Sequence, residues 1–248
     1  SRAVEEMTDT RVAEILAAAE TYNAALSPIS VSADGAFSLT GLTAAQKEYD
    51  EILAVNESGI MGQLEIPELD IRLPIYHGTD GSTLEKGVGH LLGSSLPVGG
   101  ENTHTILSGH SGMASQKMFT DLEQLSPGDI FYLNVLNETL AYQVTEINTV
   151  LPYETDLLGI VPGKDLCTLV TCTPYGINTH RLLVRGSRIP YEEAAVLEEE
   201  NTAIEQAAST SQVPARVTGW LRCCRRCVCG CASGCADKRA HPAPQRRP

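Results

Sequence analysis

Several features that define common protein classes are scarce in this chain of 248 residues. Aromatic residues make up only 5% of it, so Val, Ile and Leu must fill most of the core. No run of 18 apolar residues occurs, so no segment is predicted to span a membrane as a helix. Positive charge is also scarce, and the net charge is -13. This charge argues against a protein that binds the phosphate backbone of nucleic acids. A hydrophobic content of 42% is enough for a globular domain.

Charge and cysteine divide the chain unevenly. Residues 216–248 hold eight Lys and Arg, one Asp and six of the eight cysteines, so this tail carries +7 and the preceding residues -20. The polar start at 1–6 is not a signal peptide, and the missing initiator Met suggests a processed or a recombinant chain. We predict N-terminal helices at 1–60, a β-rich body at 61–190 and a C-terminal helix at 191–215, followed by a disordered or non-native tail.

The body has the pattern of short strands separated by turns. Apolar spacing predicts helices only outside it, at 2–26, about 43–55 and 191–208. Stretches rich in Val, Ile, Leu and Thr predict strands at 62–67, 71–76, 103–109, 130–135, 140–150, 166–172 and 181–189. This arrangement predicts a mainly β fold, either a barrel or a sandwich.

Only two cysteines lie outside the tail, Cys167 and Cys172. Their odd separation on one strand directs the side chains to opposite faces, so no disulfide between them is expected. Cys167 has apolar neighbours and is predicted to be a buried thiol. Cys172 lies where the strand opens into a polar loop, a position at which a thiol meets solvent. Reactive and structural roles both remain open for it at this point.

An arginine and a histidine are predicted to lie near Cys172. A hairpin through 173–180 would return Arg181 beside the thiol. His110 ends another strand, between glycines that leave room for a substrate. A nearby cation favours the thiolate, which is the nucleophile. His180 is the rival base, although its neighbour Arg181 would point to the other face.

Three further histidines are predicted to be structural or exposed. They are His77 in a turn, His90 between a glycine and a leucine, and His104 at the start of a strand.

The residues around Cys172, Arg181 and His110 resemble the motifs of one enzyme family. Residues 168–172 read Thr-Leu-Val-Thr-Cys, which resembles the Thr-Leu-x-Thr-Cys signature of sortases, the transpeptidases of Gram-positive cell surfaces. Arg181 follows nine residues later, and 105–112 resembles the sortase histidine segment. Residues 73–78 and 117–122 are similar to those of class C, the pilus-assembling sortases.

This resemblance implies a fold and a mechanism. The fold would be the eight-stranded sortase β-barrel with N-terminal helices, a lid-like loop and a C-terminal helix. Cys172 would attack the Thr–Gly bond of an LPxTG-like sorting signal and form a thioester, and His110 would protonate the departing amine. Arg181 would stabilise the oxyanion or the substrate backbone, while Thr171 and Thr105 would contact the substrate. No metal or cofactor is implied.

The resemblance also implies partners and a location. A lysine amine of a pilin subunit would resolve the thioester and polymerise the pilus, and no nucleic acid is involved. The native protein would be membrane-anchored, at the extracellular face of a Gram-positive cell membrane, although this chain has no predicted transmembrane segment.

Two segments depart from the class C pattern. The usual Asp-Pro-aromatic lid motif is missing, and the nearest match lies in the loop 28–42, where Asp34 and Phe37 are the lid candidates. The alternative interpretation is that residues 28–42 are a plain disordered connector. The second departure is the tail, whose cysteines could be read as a metal site but lack an apolar framework to hold ligands.

Two alternatives to a transpeptidase remain. The same Cys and His would serve a hydrolytic cysteine peptidase, with water in place of the amine. A non-catalytic module that binds sorting signals would keep its peptide affinity after Cys172→Ala.

Overall fold

The computed structural model describes residues 9–26, 49–54, 59–111 and 117–197, all within one compact unit of residues 1–201. Eight strands close into a barrel in the order β1-β2-β3-β4-β7-β8-β6-β5. The strands are β1 (Ile60–Ile66), β2 (Ile71–His77), β3 (Val88–His90), β4 (Thr103–Ser108), β5 (Ile130–Val135), β6 (Glu138–Val150), β7 (Asp165–Thr173) and β8 (His180–Ile189). The mainly β barrel predicted from the sequence is thereby confirmed, and closure leaves no unpaired sheet edge.

Helices are few in the described residues. They are α1 (Asp9–Ala25), a helical turn at 49–51, α2 (Gly81–Leu84) and α3 at 191–197. Asp80 is the N-cap of helix α2, and its carboxylate accepts hydrogen bonds from the backbone N–H groups of Ser82 and Thr83. No helix in the described part of the chain is long and apolar enough to cross a membrane. The lid candidates Asp34 and Phe37 and the tail 216–248 lie outside the described residues.

Strand β3 is the element that the sequence pattern did not predict. It has only three residues, too few for an alternation of apolar and polar positions to be recognised. Gly89 at its centre packs against the residues that follow β2, where a Cβ would stand 2.3 Å from the carbonyl oxygen of Gly78. Glycine is therefore required by backbone packing here, although glycine usually indicates a turn.

The barrel interior holds the main hydrophobic core. Phe131 and Tyr142 stack inside it with ring centroids 5.6 Å apart. Gly186 makes room for them, because a Cβ at this position would lie 2.6 Å from the Phe131 ring. Although aromatic residues are few in this chain, Phe131 and Tyr142 fill part of the barrel interior beside the aliphatic side chains.

The N-terminal segments are attached to the barrel by buried polar contacts. The Asn23 amide donates to the Leu96 carbonyl (3.2 Å), and its oxygen accepts from the Leu96 N–H (2.7 Å). The Tyr49 hydroxyl lies 2.9 Å from Nδ1 of His90 and accepts from the Gly78 N–H at 3.1 Å. Because these groups are buried, each would cost more unpaired than it contributes when paired.

The strand order places the ends of three strands at one rim of the barrel. Strand β4 runs parallel to β7, and β8 runs antiparallel to β7. The end of β4, the end of β7 and the start of β8 are therefore neighbours.

Candidate active site

His110, Cys172 and Arg181 lie in a row across these three neighbouring segments. The antiparallel register pairs Cys172 of β7 with Arg181 of β8, as the hairpin prediction required. The parallel register pairs Ser108 with Val170, so His110, two residues beyond the end of β4, lies alongside Cys172. Residues in register point to the same face, so this geometry brings an imidazole, a thiol and a guanidinium to one rim.

Hydrogen bonds continue the pairing of these two segments past the end of β4. The Gly109 N–H donates to the Val170 carbonyl at 3.0 Å. The Thr171 hydroxyl then donates to the Gly109 carbonyl, and the Ser111 hydroxyl donates to the Cys172 carbonyl, both at 2.8 Å. His110 is thus held between two residues that are each bonded to the cysteine strand.

The two cysteines of the body occupy different environments. Both are free thiols, in agreement with the prediction that they do not form a disulfide. Cys167 is fully buried, and burial raises its pKa well above the ordinary value, which disfavours the thiolate. Cys172 is partly exposed and borders a cleft. Of the two, Cys172 is the thiol that a substrate can reach.

The cleft is open to solvent. It is lined by Ser111, Phe119, Thr120, Glu123, Thr171, Cys172, Thr173, Tyr175 and Leu182. His110 and Arg181 lie beside the cleft and do not belong to its lining. The guanidinium of Arg181 instead donates to the carbonyl oxygens of Asn178 (3.2 Å) and His180 (3.0 Å), so it holds the loop between β7 and β8.

Phe119 occupies the space that the sequence reading had assigned to a substrate beside Gly109. A Cβ on Gly109 would lie 2.6 Å from the Phe119 ring, so the missing side chain admits this ring. The Phe119 N–H also donates to the His110 carbonyl at 3.0 Å. Gly109 therefore serves the packing of the histidine segment, which corrects the earlier interpretation.

The two threonines predicted to contact substrate have different positions. Thr171 lines the cleft, but it is buried and its hydroxyl is engaged with the Gly109 carbonyl. Thr105 is fully buried, paired in register with Cys167, and its hydroxyl donates to the Leu96 carbonyl at 3.4 Å. Thr105 is a core side chain, and its position gives no support to the predicted substrate contact.

His90 and His104 are structural, as predicted. Nδ1 of His104 donates to the Gly159 carbonyl (2.8 Å), and Nε2 accepts from the Thr168 hydroxyl (2.7 Å). Nε2 of His90 donates to the Ser95 carbonyl at 2.8 Å. Burial lowers the pKa of each imidazole to about 4, so both are neutral near neutral pH.

Two further histidines in the described part of the chain, His77 and His180, are not in register with Cys172. The ring of His77 contacts the carbonyl oxygens of Ile52 (2.7 Å) and Gly59 (3.4 Å), which is the structural role predicted for it. His180 pairs with Thr173 in the register, one position beyond the pair of Cys172 and Arg181. His180 is therefore displaced from the thiol, whereas His110 is in line with it.

A scan against protein-family models matches residues 64–189, half of the chain, to the sortase domain. The chain belongs to the sortase family. The match spans β1 to β8 and includes all three rim residues. The prediction from the three sequence motifs is confirmed at the level of the family.

Several of the similar proteins with solved structures are class C sortases. Sortase C1 of Streptococcus agalactiae is 44% identical, with a TM-score of 0.71, over 76% of this chain and 95% of that one. Group B Streptococcus pilus island 1 sortase C2 is 42% identical, with a TM-score of 0.66, over 74% of this chain and 100% of that one. These neighbours identify this sortase as class C.

Curated relatives are more distant. Sortase A of Streptococcus agalactiae is 33% identical over 117 residues, which are 46% of this chain and 47% of the relative. This sortase spans about half to two thirds of the length of the first curated relatives that it matches.

The sequence reading did not assign a role in the site to Glu123, Tyr175 or Phe119. A signal was available for Phe119, because the family-like segment 117–122 contains it. Glu123 and Tyr175 carry no local signal, since they reach the cleft only through the folding of two separate loops.

Proposed function

We propose that this sortase is a cysteine transpeptidase that cleaves an LPxTG-like sorting signal between Thr and Gly and transfers the acyl group to a lysine amine of a pilin subunit. The observation that carries the proposal is the row formed by His110, Cys172 and Arg181 beside the cleft. Acyl transfer requires a nucleophile, a proton donor and positive charge for the oxyanion, and these residues supply the three groups.

In the first half of the reaction, the Cys172 thiolate attacks the Thr carbonyl carbon and a tetrahedral oxyanion forms. The Arg181 guanidinium, one strand away, stabilises that negative charge. His110 then gives a proton to the glycine nitrogen as the C–N bond breaks. The products are a thioester on Cys172 and a free glycine amine.

In the second half, a lysine amine attacks the thioester. The new C–N bond forms, the C–S bond breaks, and Cys172 returns to the thiolate while His110 accepts the proton. The name of one structural neighbour, a pilus island sortase, supports a pilin as the partner. Such an enzyme acts at the extracellular face of a Gram-positive cell membrane.

Intact mass spectrometry tests the first half directly. Wild type, Cys172→Ala and Cys167→Ala are each incubated with a panel of LPxTG-like peptides. We expect an acyl adduct on wild type and on Cys167→Ala, whose substitution removes the buried thiol, and no adduct on Cys172→Ala. An adduct that persists on Cys172→Ala would show that another group is acylated.

A second arm removes the loop 28–42, for which we propose a lid role with Asp34 and Phe37 over the site. If the loop covers Cys172, its deletion accelerates adduct formation. Absence of any adduct both with and without this loop would overturn the proposed mechanism.

A further inference from the structure

We propose that Glu123 selects a cationic amine as the acyl acceptor of this enzyme. The inference rests on the proposed function, in which a thioester on Cys172 is resolved by an amine. The inference adds to that function a residue that recognises the charge of the acceptor amine. The shared cleft is the first reason, since Glu123 and Cys172 both line it.

The second reason is that Glu123 lies on a turn attached to the histidine segment. The turn is a short 3-10 helix, Leu122–Gln124, in which Leu122 is fully buried. Its N–H groups bond back to the preceding residues, from Leu122 to Phe119 at 3.2 Å and from Gln124 to Asp121 at 2.9 Å. Phe119 in turn donates to the His110 carbonyl. The carboxylate is therefore carried by backbone that is fixed relative to His110.

The third reason is that the charge of Glu123 is not neutralised by its described surroundings. Among the residues that line the cleft, Glu123 is the charged one. No described Lys or Arg lies within ion-pair distance of it. Asp121, two residues earlier, differs, because it pairs with Lys117 at 3.3 Å. Lys117 also donates to the Leu69 carbonyl at 2.6 Å, which holds that cation in place.

The charge matches the chemistry of the second step. A lysine amine is an ammonium ion near neutral pH, whereas water, the competing acceptor, is neutral. A carboxylate in the cleft raises the local concentration of the ammonium ion. The ammonium ion then loses one proton to solvent, and its nitrogen attacks the acyl carbon. The C–S electron pair returns to Cys172, and the second proton goes to His110.

Glu123 thus acts on acceptor binding and takes no part in bond making. Its side chain is exposed, so solvent and salt weaken the attraction. The expected effect is therefore modest, about threefold to fivefold in the KM of a cationic acceptor.

The test compares two acceptors that differ in charge. One is Nα-acetyl-lysine amide, and the other is the same molecule with an aminooxy group in place of the ε-amine, which is neutral near neutral pH. Each is titrated against thioester formed from an LPxTG-like peptide, and kcat and KM are obtained for both. The measured quantity is the ratio of the two kcat/KM values on the same variant, so a general loss of activity cancels.

Glu123→Gln should lower this ratio about threefold to fivefold through the KM of the lysine derivative. Glu123→Asp, which keeps the charge, should restore most of it. Glu138→Gln, at an exposed carboxylate in the β5–β6 hairpin, should leave the ratio as in wild type. The difference between wild type and Glu123→Gln should shrink in about 1 M salt, where the screening length is about 3 Å.

An unchanged ratio in Glu123→Gln would overturn the proposal, as would equal losses with both acceptors. Transfer from the wild-type thioester to neither acceptor would overturn it too, because the proposal requires the lysine derivative to be accepted. The adduct itself is followed by intact mass on every variant. If wild type forms no adduct, the proposed transpeptidase function fails; if the adduct forms and the ratio does not move, only the role of Glu123 fails.

Discussion

The Ser111 hydroxyl donates a hydrogen bond to the backbone carbonyl of Cys172 at 2.8 Å. One residue before Cys172, the Thr171 hydroxyl donates in the opposite direction, to the carbonyl of Gly109, which lies two residues before Ser111. Two reciprocal bonds therefore join the segments that carry His110 and Cys172. Because both acceptors are backbone atoms, the bonds fix the path of the chain on either side of His110.

We expect Thr171→Val to destabilise the enzyme, because it keeps the side-chain shape but leaves the Gly109 carbonyl without this donor. A lost buried hydrogen bond costs about 1–3 kcal/mol in the free energy of unfolding. Thr139→Val is the matched control, since its hydroxyl donates to Asn134 on an exposed hairpin and should cost about 0.5 kcal/mol or less. Urea denaturation measures both, and equal losses would contradict the proposed importance of the buried bond.

Gly109→Ala should reduce activity more than Gly81→Ala. A Cβ at position 109 would lie 2.6 Å from the Phe119 ring, so the ring and the attached His110 segment must move. A Cβ at position 81 would meet nothing within 4 Å. We expect about a tenfold or larger fall in the rate of acylation for Gly109→Ala, since small misplacements of catalytic groups are costly. Adduct formation rates, with circular dichroism to check folding, would decide it; wild-type rates in Gly109→Ala would be inconsistent with the packing argument.

Arg181→Lys tests whether geometry or charge matters at this position. Lysine keeps the positive charge but loses the planar guanidinium, whose Nη1 donates to the carbonyls of both Asn178 and His180. If Arg181 stabilises the oxyanion, Arg181→Gln should lower the acylation rate about 100-fold or more, and Arg181→Lys by less. Arg72→Gln removes an exposed arginine that pairs with Glu65 and should have little effect. Equal rates in wild type and Arg181→Gln would remove Arg181 from the mechanism.

The stability of the enzyme should fall as the pH falls from about 6.5 to about 4. Burial lowers the pKa of His90 and of His104 to about 4 in the folded state, and an unfolded histidine titrates near 6.5. In this window the unfolded chain binds more protons than the folded chain, so acid favours unfolding. Each histidine contributes up to about 1.4 kcal/mol per pH unit.

A single substitution isolates this contribution from that of the carboxylates. His104→Gln should reduce the slope of unfolding free energy against pH by about one proton between pH 6 and pH 4.5. Denaturation curves at several pH values measure the slope. Identical slopes in wild type and His104→Gln would show that His104 is not buried in its neutral form.

Local sequence was sufficient to predict those parts of the site that one hairpin contains. Cys172 at a strand end, Arg181 opposite it and Cys167 on the other face all follow from the two-residue period of a strand and one turn. Seven of the strands were also recognisable, because alternation and β-branched residues are local properties. Strand β3 was missed since its pairing, and not its composition, makes it a strand.

The sequence by itself determined that this protein is mainly β, that Cys172 rather than Cys167 is the candidate nucleophile, and that its motifs are those of a sortase. Tertiary structure alone decided which distant segments become neighbours. The parallel pairing of β4 with β7 bridges about 60 residues and brings His110 to Cys172, and the packing of Phe119 on Gly109 brings Glu123 to the same cleft. These contacts depend on closing the barrel, where the gain from burying apolar surface offsets the entropy of long loops, and no local pattern encodes that balance.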